Sequence, residues 1–260
     1  MKFISTFFFS FLFFTANSQQ WNFTTSYSLG IPRQEMGKNI QPAHSMQAGV
    51  FYQFPGAFQQ LSAGFELGLG MYAHERIDQT FQFDNNTTAV LPVDYNSNVF
   101  NANLHVRFNL LSDKNLIIPY INAKGGLYNF YSSIYIGDPE DDGGCRALEQ
   151  ENMINDKTMY WSAGGGLLIN PTIFSKNKHS SKVMIDFSAN TIRGGTLNYI
   201  NTKHLMDAQA MNDPDGKPLN VEFINVSTQS IHEHTVAQVY TSTLRMLEFR
   251  AGITLKLCDQ

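Results

Sequence analysis

Along most of this chain apolar and polar residues alternate one for one. The run from Leu247 to Leu257 shows this most plainly: Leu247, Phe249, Ala251, Ile253, Leu255 and Leu257 alternate with Glu248, Arg250, Gly252, Thr254 and Lys256. A period of two marks a strand whose two faces meet different surroundings. A helix would scatter Phe249, Ile253 and Leu255 around its cylinder, and Gly252 would weaken it. About eleven residues is also the length with which a tilted strand crosses a bilayer.

Seven earlier runs read the same way: Trp21 to Leu29, Ser45 to Phe54, Leu61 to Tyr72, Asn98 to Leu110, Leu116 to Tyr131, Met159 to Ile169 and Val183 to Ile192. In the fourth, Phe100, Ala102, Leu104, Val106 and Phe108 oppose Asn101, Asn103, His105, Arg107 and Asn109. The connections sort by parity. Gly30 to His44, Ala73 to Asn96, Ser132 to Thr158 and Arg193 to Ser242 are long, whereas Pro55 to Gln60, Ser112 to Asn115 and Pro171 to Lys182 are short. A soluble sandwich has no reason to sort its connections in this way, but an outer-membrane barrel has short periplasmic turns and longer external loops. The pattern predicts an all-β fold, an eight-stranded antiparallel up-and-down transmembrane β-barrel. Within the last long connection, Thr196 to Ile200 and Val221 to Val226 also read as strands, which predicts sheet above the membrane with an exposed turn at Asp213-Pro214-Asp215-Gly216.

The N-terminus sets the compartment. Met1 to Ser18 carries one positive charge at Lys2, a Phe-rich apolar run and small residues at Ala16 and Ser18, the form of a secretory signal peptide cut after Ser18. That leaves residues 19–260 as a single barrel domain in the outer membrane of a Gram-negative bacterium. The mature chain has 17 basic against 22 acidic residues once Lys2 is removed, a net charge of −5, which gives no basis for a nucleic-acid partner. Aromatic residues make up 13% and charged residues only 15%, a balance suited to a lipid-facing surface. Trp21, Tyr52, Phe54, Phe108, Trp161 and Phe249 are the candidate membrane-anchoring aromatics.

Three stretches carry a family resemblance: Pro119 to Phe130 (PYINAKGGLYNF), Tyr160 to Leu168 (YWSAGGGLL) and the closing strand. They resemble the outer-membrane β-barrel domain common in Bacteroidota, similar in architecture to OmpA- and OmpX-type barrels, and the likeness spans essentially the whole mature chain. It implies a class of fold and no particular activity. It also implies outer-membrane lipid and the barrel-assembly machinery as partners. Such barrels often end on an aromatic residue, whereas this chain runs past Leu257 to Cys258-Asp259-Gln260. The glycines at Gly125-Gly126 and Gly164-Gly165-Gly166 lie inside alternating strands and are not followed by Lys-Ser/Thr, so they do not form a phosphate-binding loop.

The face opposite the lipid holds Glu66, His105, Arg107, Lys124, Asp186, Glu248, Arg250 and Lys256. An eight-stranded barrel has an interior just wide enough for side chains to fill, and buried charges persist when paired. An interior ion-pair network is therefore expected, with a proton-conducting path as the alternative. In the external connections, His232 and His234 share one face if their segment is a strand, and His74 or His204 would supply a third metal ligand; a solvated polar loop is the plainer reading. Asp138, Glu140, Asp141 and Asp142 form an acidic cluster without EF-hand spacing, a hydrated loop or a calcium site. Cys145 and Cys258 fall at opposite ends of a band about 25 Å tall, too far apart for a disulfide.

These features point to a non-enzymatic barrel, with no cofactor, whose external segments, above all 193–242, bind a protein partner or ligand as part of a larger membrane assembly. Two alternatives stand beside it: a rim hydrolase or acyltransferase using His74 with Glu75, or His232 and His234 with Ser230, and a small-solute channel.

Overall fold

The computed structural model describes residues 20–82, 88–113, 115–137, 147–174, 182–205, 215–224 and 231–257. The signal sequence read in 1–18, the acidic cluster of Asp138, Glu140, Asp141 and Asp142, both cysteines, Asp213, Pro214 and Ser230 lie outside the described residues. Nine strands form one antiparallel sheet: β1 (Trp21–Pro32), β2 (Ala43–Gln53), β3 (Leu61–Gln82), β4 (Thr88–Asn109), β5 (Ile117–Gly137), β6 (Ala147–Ile169), β7 (Val183–Ile200), β8 (Lys217–Ile224) and β9 (Ile231–Lys256). A single helical turn and a half, α1 (Gln34–Asn39), joins β1 to β2. The order is β1-β2-β3-β4-β5-β6-β7-β9, and β9 returns to pair with β1, which closes an eight-stranded barrel. Among the described residues no helix is long and apolar enough to cross a membrane, and the strands do the crossing.

The outward face of the barrel is apolar and exposed. Leu69, Leu104 and Met159 are 61%, 68% and 69% accessible, values that in water would be a large unexplained apolar surface and in lipid are solvation. The inward face of the same strands is polar and buried, with Glu66, Asn101, Asn103, His105 and Lys124 all buried.

Higher up, the two faces exchange character. On β4 the inward residues Leu91, Val93, Tyr95 and Val99 are buried and apolar, then Asn101 to Asn109 are buried and polar. The outward residues run the opposite way, from Asp94 and Asn96 to Leu104, Val106 and Phe108. On β3 a bulge between Met71 and Ala73 makes the switch, with Tyr72 as the extra residue. Before it the odd-numbered residues face lipid; after it Ala73, Ile77 and Phe81 face inward. The exchange marks where lipid gives way to water.

Here the structure corrects the expectation of long external loops. β3 and β4 continue above the bulge until only residues 83–87 separate them, and β5 and β6 until only 138–146 do. In 193–242 the strands expected at 196–200 and 221–226 are present as the end of β7, which reaches Ile200, and as β8 at Lys217–Ile224, while β9 already starts at Ile231. The asymmetry between the two ends of the barrel therefore lies in strand length. The expected strand closing at Leu257 is only the last part of a 26-residue strand.

Above the barrel β8 takes over from β1 as the neighbour of β9. β1 pairs with Met246–Lys256 of β9, and β8 pairs with its Ile231–Val239. The projecting strands enclose a second apolar core of Ile77, Phe81, Val93, Tyr95, Ile134, Ile136, Val221 and Val236.

Candidate functional site

Strict alternation aims the ionisable side chains of β3, β4, β5, β7 and β9 into the lumen. Midway along it, Lys124 Nζ lies 3.1 Å from Glu66 Oε1 and 3.2 Å from Glu248 Oε2, and Arg250 Nη2 lies 2.6 Å from Glu66 Oε2. The remaining acceptor positions are filled by neutral donors. Glu248 accepts from Ser28 Oγ at 3.0 Å, Gln47 Nε2 at 2.9 Å and Asn190 Nδ2 at 3.1 Å. His105 stacks edge-on to Phe51 and its Nε2 lies 3.2 Å from Asn122 Nδ2, which leaves Nδ1 facing Glu66 at 3.8 Å. A Cβ at Gly166 would run into the Phe187 backbone carbonyl and lie 2.5 Å from the Tyr120 hydroxyl, so only glycine fits there.

A second group of charges sits toward the short-turn end. Arg107 Nη2 meets Asp186 Oδ2 at 2.8 Å with its guanidinium 4.3 Å from the Tyr120 ring centroid, and Tyr120 donates to Asp186 Oδ1 at 2.5 Å. Lys256 Nζ meets Asp113 Oδ2 at 2.9 Å. Asp113 is the residue that the sequence reading missed. It lies in the turn after β4, where alternation says nothing about direction; the signal that could have found it is the excess of four basic over three acidic residues among those expected to face inward. With Asp113 included, Arg107, Lys124, Arg250 and Lys256 balance Glu66, Asp113, Asp186 and Glu248.

Both ends of the lumen are filled by apolar side chains. Ile118, Tyr120, Leu168 and Met184 form a layer at the short-turn end. At the other end Tyr72, Tyr128, Phe130, Tyr160, Tyr199 and Tyr240 form an aromatic layer, over which α1 lays Met36 and Ile40. The cluster of Glu66, Lys124, Glu248 and Arg250 thus lies between two apolar layers, where low polarizability strengthens each pairing, whereas the Lys256–Asp113 pair lies at the short-turn end itself.

The external core is joined across its middle by Tyr95 and by Gln79, whose Nε2 donates to the Val236 carbonyl at 3.3 Å. Tyr95 on β4 donates to the Val236 carbonyl on β9 at 2.6 Å and accepts from Gln79 Nε2 at 2.7 Å. Burial pushes the Tyr95 hydroxyl up from its ordinary range, so it stays a donor. Two edges of this upper sheet are open among the described residues: β2 stops pairing with β3 at Met71, leaving the ladder of Ala73–Phe81 with β4, and Lys217–Glu222 of β8 ladders with β9. Phe81 beside Phe223, centroids 5.3 Å apart, packs these two edges against each other without a hydrogen-bonded ladder.

The described side chains of His74 and His234 have different neighbours. His74 is exposed on the outer face of β3, its Nδ1 2.6 Å from Asn96 Oδ1. The ring of His234 lies 5.3 Å from that of Phe81 and 5.6 Å from that of Phe223. The His232 backbone pairs with Phe223, but its side chain lies outside the described residues. Among the described residues no three His, Cys, Asp or Glu side chains cluster as metal ligands. Glu75, next to His74, turns to the opposite face of β3 and accepts from Gln41 Nε2 at 3.0 Å. Trp21, Tyr52, Phe54, Phe108, Trp161 and Phe249 all lie on the outward side, with Trp21 edge-on to Tyr52 and Tyr52 edge-on to Phe54.

The fold and its apolar girdle define a membrane-spanning β-barrel with a filled lumen and a projecting sheet. The chain is similar to several solved barrels. Neisserial surface protein A is similar over 92% of this chain and 96% of its own, at 9% identity and a TM-score of 0.43. A major outer membrane protein from Thermus thermophilus is similar over 93% and 100%, at 10% identity and a TM-score of 0.46. The attachment invasion locus protein Ail of Yersinia pestis, solved with the heparin analogue sucrose octasulfate, is similar over 92% and 99%, at 10% identity and a TM-score of 0.38. At these scores no activity transfers from them. No protein-family model matches the chain, and no curated protein matches it.

Proposed function

We propose that this is a non-enzymatic outer-membrane barrel of a Gram-negative bacterium that presents its external sheet to a protein partner. The observation that carries this reading is the seam that stands open, among the described residues, between Ala73–Phe81 of β3 and the outer edge of Lys217–Glu222 of β8. An edge strand offers unpaired backbone groups on which a partner's extended segment can add as another strand. The lumen supports the same reading from the other side. Its charges are paired and its ends are filled by apolar layers, so passage of solutes is not its task.

The test is gentle detergent extraction of the tagged full chain from its native membrane, mass spectrometry of what co-purifies, and hydrogen exchange on the complex. The expected result is a stoichiometric protein partner that slows exchange along 73–82 and 217–224. A clean monomer from several extraction conditions, or a partner that protects only other segments, overturns the reading.

A further inference from the structure

Three arginines form a row on the outer rim of the barrel. Arg193 on β7 is directly opposite Arg245 on β9, and just past β1 the amide of Arg33 donates to the Arg245 carbonyl at 2.8 Å, extending the row onto a third strand. They stand just above the apolar Ile31 of β1 and Leu247 of β9. Like charges facing each other across a ladder are unfavourable unless an anion lies between them. Among the described residues no carboxylate pairs with any of the three; the nearby Glu35 is engaged by Lys38 at 3.0 Å. Arg193 instead lies over the Trp161 ring, 5.8 Å from its centroid, which holds the guanidinium at the rim.

Below this row, on the same strands, the lipid-facing surface is indented. A groove of about 550 Å³ runs between Tyr27, Leu167, Phe187 and Phe249, floored by Gly165 and Ala189. Its lining is almost wholly apolar, and it lies within the girdle, where acyl chains are the only solvent. Ala189 is four residues below Arg193 on one strand, about 13 Å. That spacing matches a lipid whose phosphate lies at the interface and whose acyl chain reaches into the band.

We propose that β6, β7, β9 and β1 form a binding site for a phosphorylated acyl lipid of the outer leaflet. The phosphate is held between Arg193, Arg245 and Arg33, and one acyl chain occupies the groove. Guanidinium groups suit this role because their planar forks take phosphate oxygens two at a time.

The experiment uses the full chain in phosphatidylcholine nanodiscs containing a minor fraction of bis-phosphorylated lipid A, with native mass spectrometry to measure lipid retained on release. The wild type is expected to retain the phosphorylated lipid over the same lipid with its phosphates removed. The variant R193Q/R245Q should bind it about thirtyfold more weakly. Ala189→Phe, which fills the groove and leaves every arginine in place, should also weaken retention, and Lys38→Gln should not. Folding of each variant is checked by heat-modifiable gel mobility; if R193Q/R245Q does not fold, the groove variant and the dephosphorylated lipid carry the test. Equal retention by wild type and variants, or equal retention of the dephosphorylated lipid, overturns the proposal. Inorganic phosphate protecting the arginines from chemical modification as well as the lipid does would show a free-anion site and overturn the lipid assignment.

Discussion

Arg250 on β9 and Glu66 on β3, strands that are not neighbours in the sheet, meet across the lumen at 2.6 Å. Lys124 completes the contact from β5, so one carboxylate joins three walls of the barrel. Removing that carboxylate takes from Arg250 its carboxylate partner and leaves Lys124 with Glu248 alone, between apolar layers. Glu66→Ala is expected to destabilise the folded barrel by about 3–5 kcal/mol, read as a shift in the urea midpoint of unfolding in micelles. A change within experimental error would mean that the network contributes little to stability.

The same filled interior predicts electrical silence. Reconstituted in a planar bilayer, the protein should show no steady opening of porin size. Truncating the charges alone, as in E66A/K124A/R250A, should not create one if that variant inserts, because Tyr72, Phe130, Met36 and the other residues of the apolar layer still close the external end. Stable openings in the wild type would refute a closed lumen.

Above the membrane, Tyr95→Phe deletes the hydroxyl that links β4 to Val236 of β9. The expected loss is about 1 kcal/mol of local stability. It should appear as faster amide exchange in 231–239 with no change in 247–255. Uniform acceleration along β9 would show that the external sheet and the barrel open as one unit.

Phe81→Ala tests the external core more severely. Phe81 is fully buried and packs against Phe223 and His234. Its truncation should cost about 3–5 kcal/mol, enough to release the projecting sheet to protease while the barrel stays resistant. If that sheet is the docking surface, partner co-purification is lost with it.

The barrel was legible in the sequence because lipid and lumen impose opposite preferences on successive residues. Phe100 to Phe108 against Asn101 to Asn109 fixes both the strand and the side each residue faces. What alternation could not show was the pairing of particular charges, or the direction of Asp113 in its turn. The upper strands were hidden for a different reason. At the water boundary Leu91, Val93 and Tyr95 take the inward places that Asn103 and His105 hold below, and Pro92 interrupts the segment as a loop residue would. Asp94 and Asn96, outward on β4, then read as polar loop residues although their backbone is strand.

β9 is the last described strand in chain order, and it borders β1, β7 and β8. It supplies Glu248 and Arg250 to the lumen and Val236 to the external core. Closure of both levels therefore depends on this one strand. Until this strand arrives, β1 has no partner on one side, β8 has none, and Lys124 lacks one of its two carboxylates. This one strand closes the barrel, neutralises its interior and covers the external core, so without it the described strands are left open at both levels.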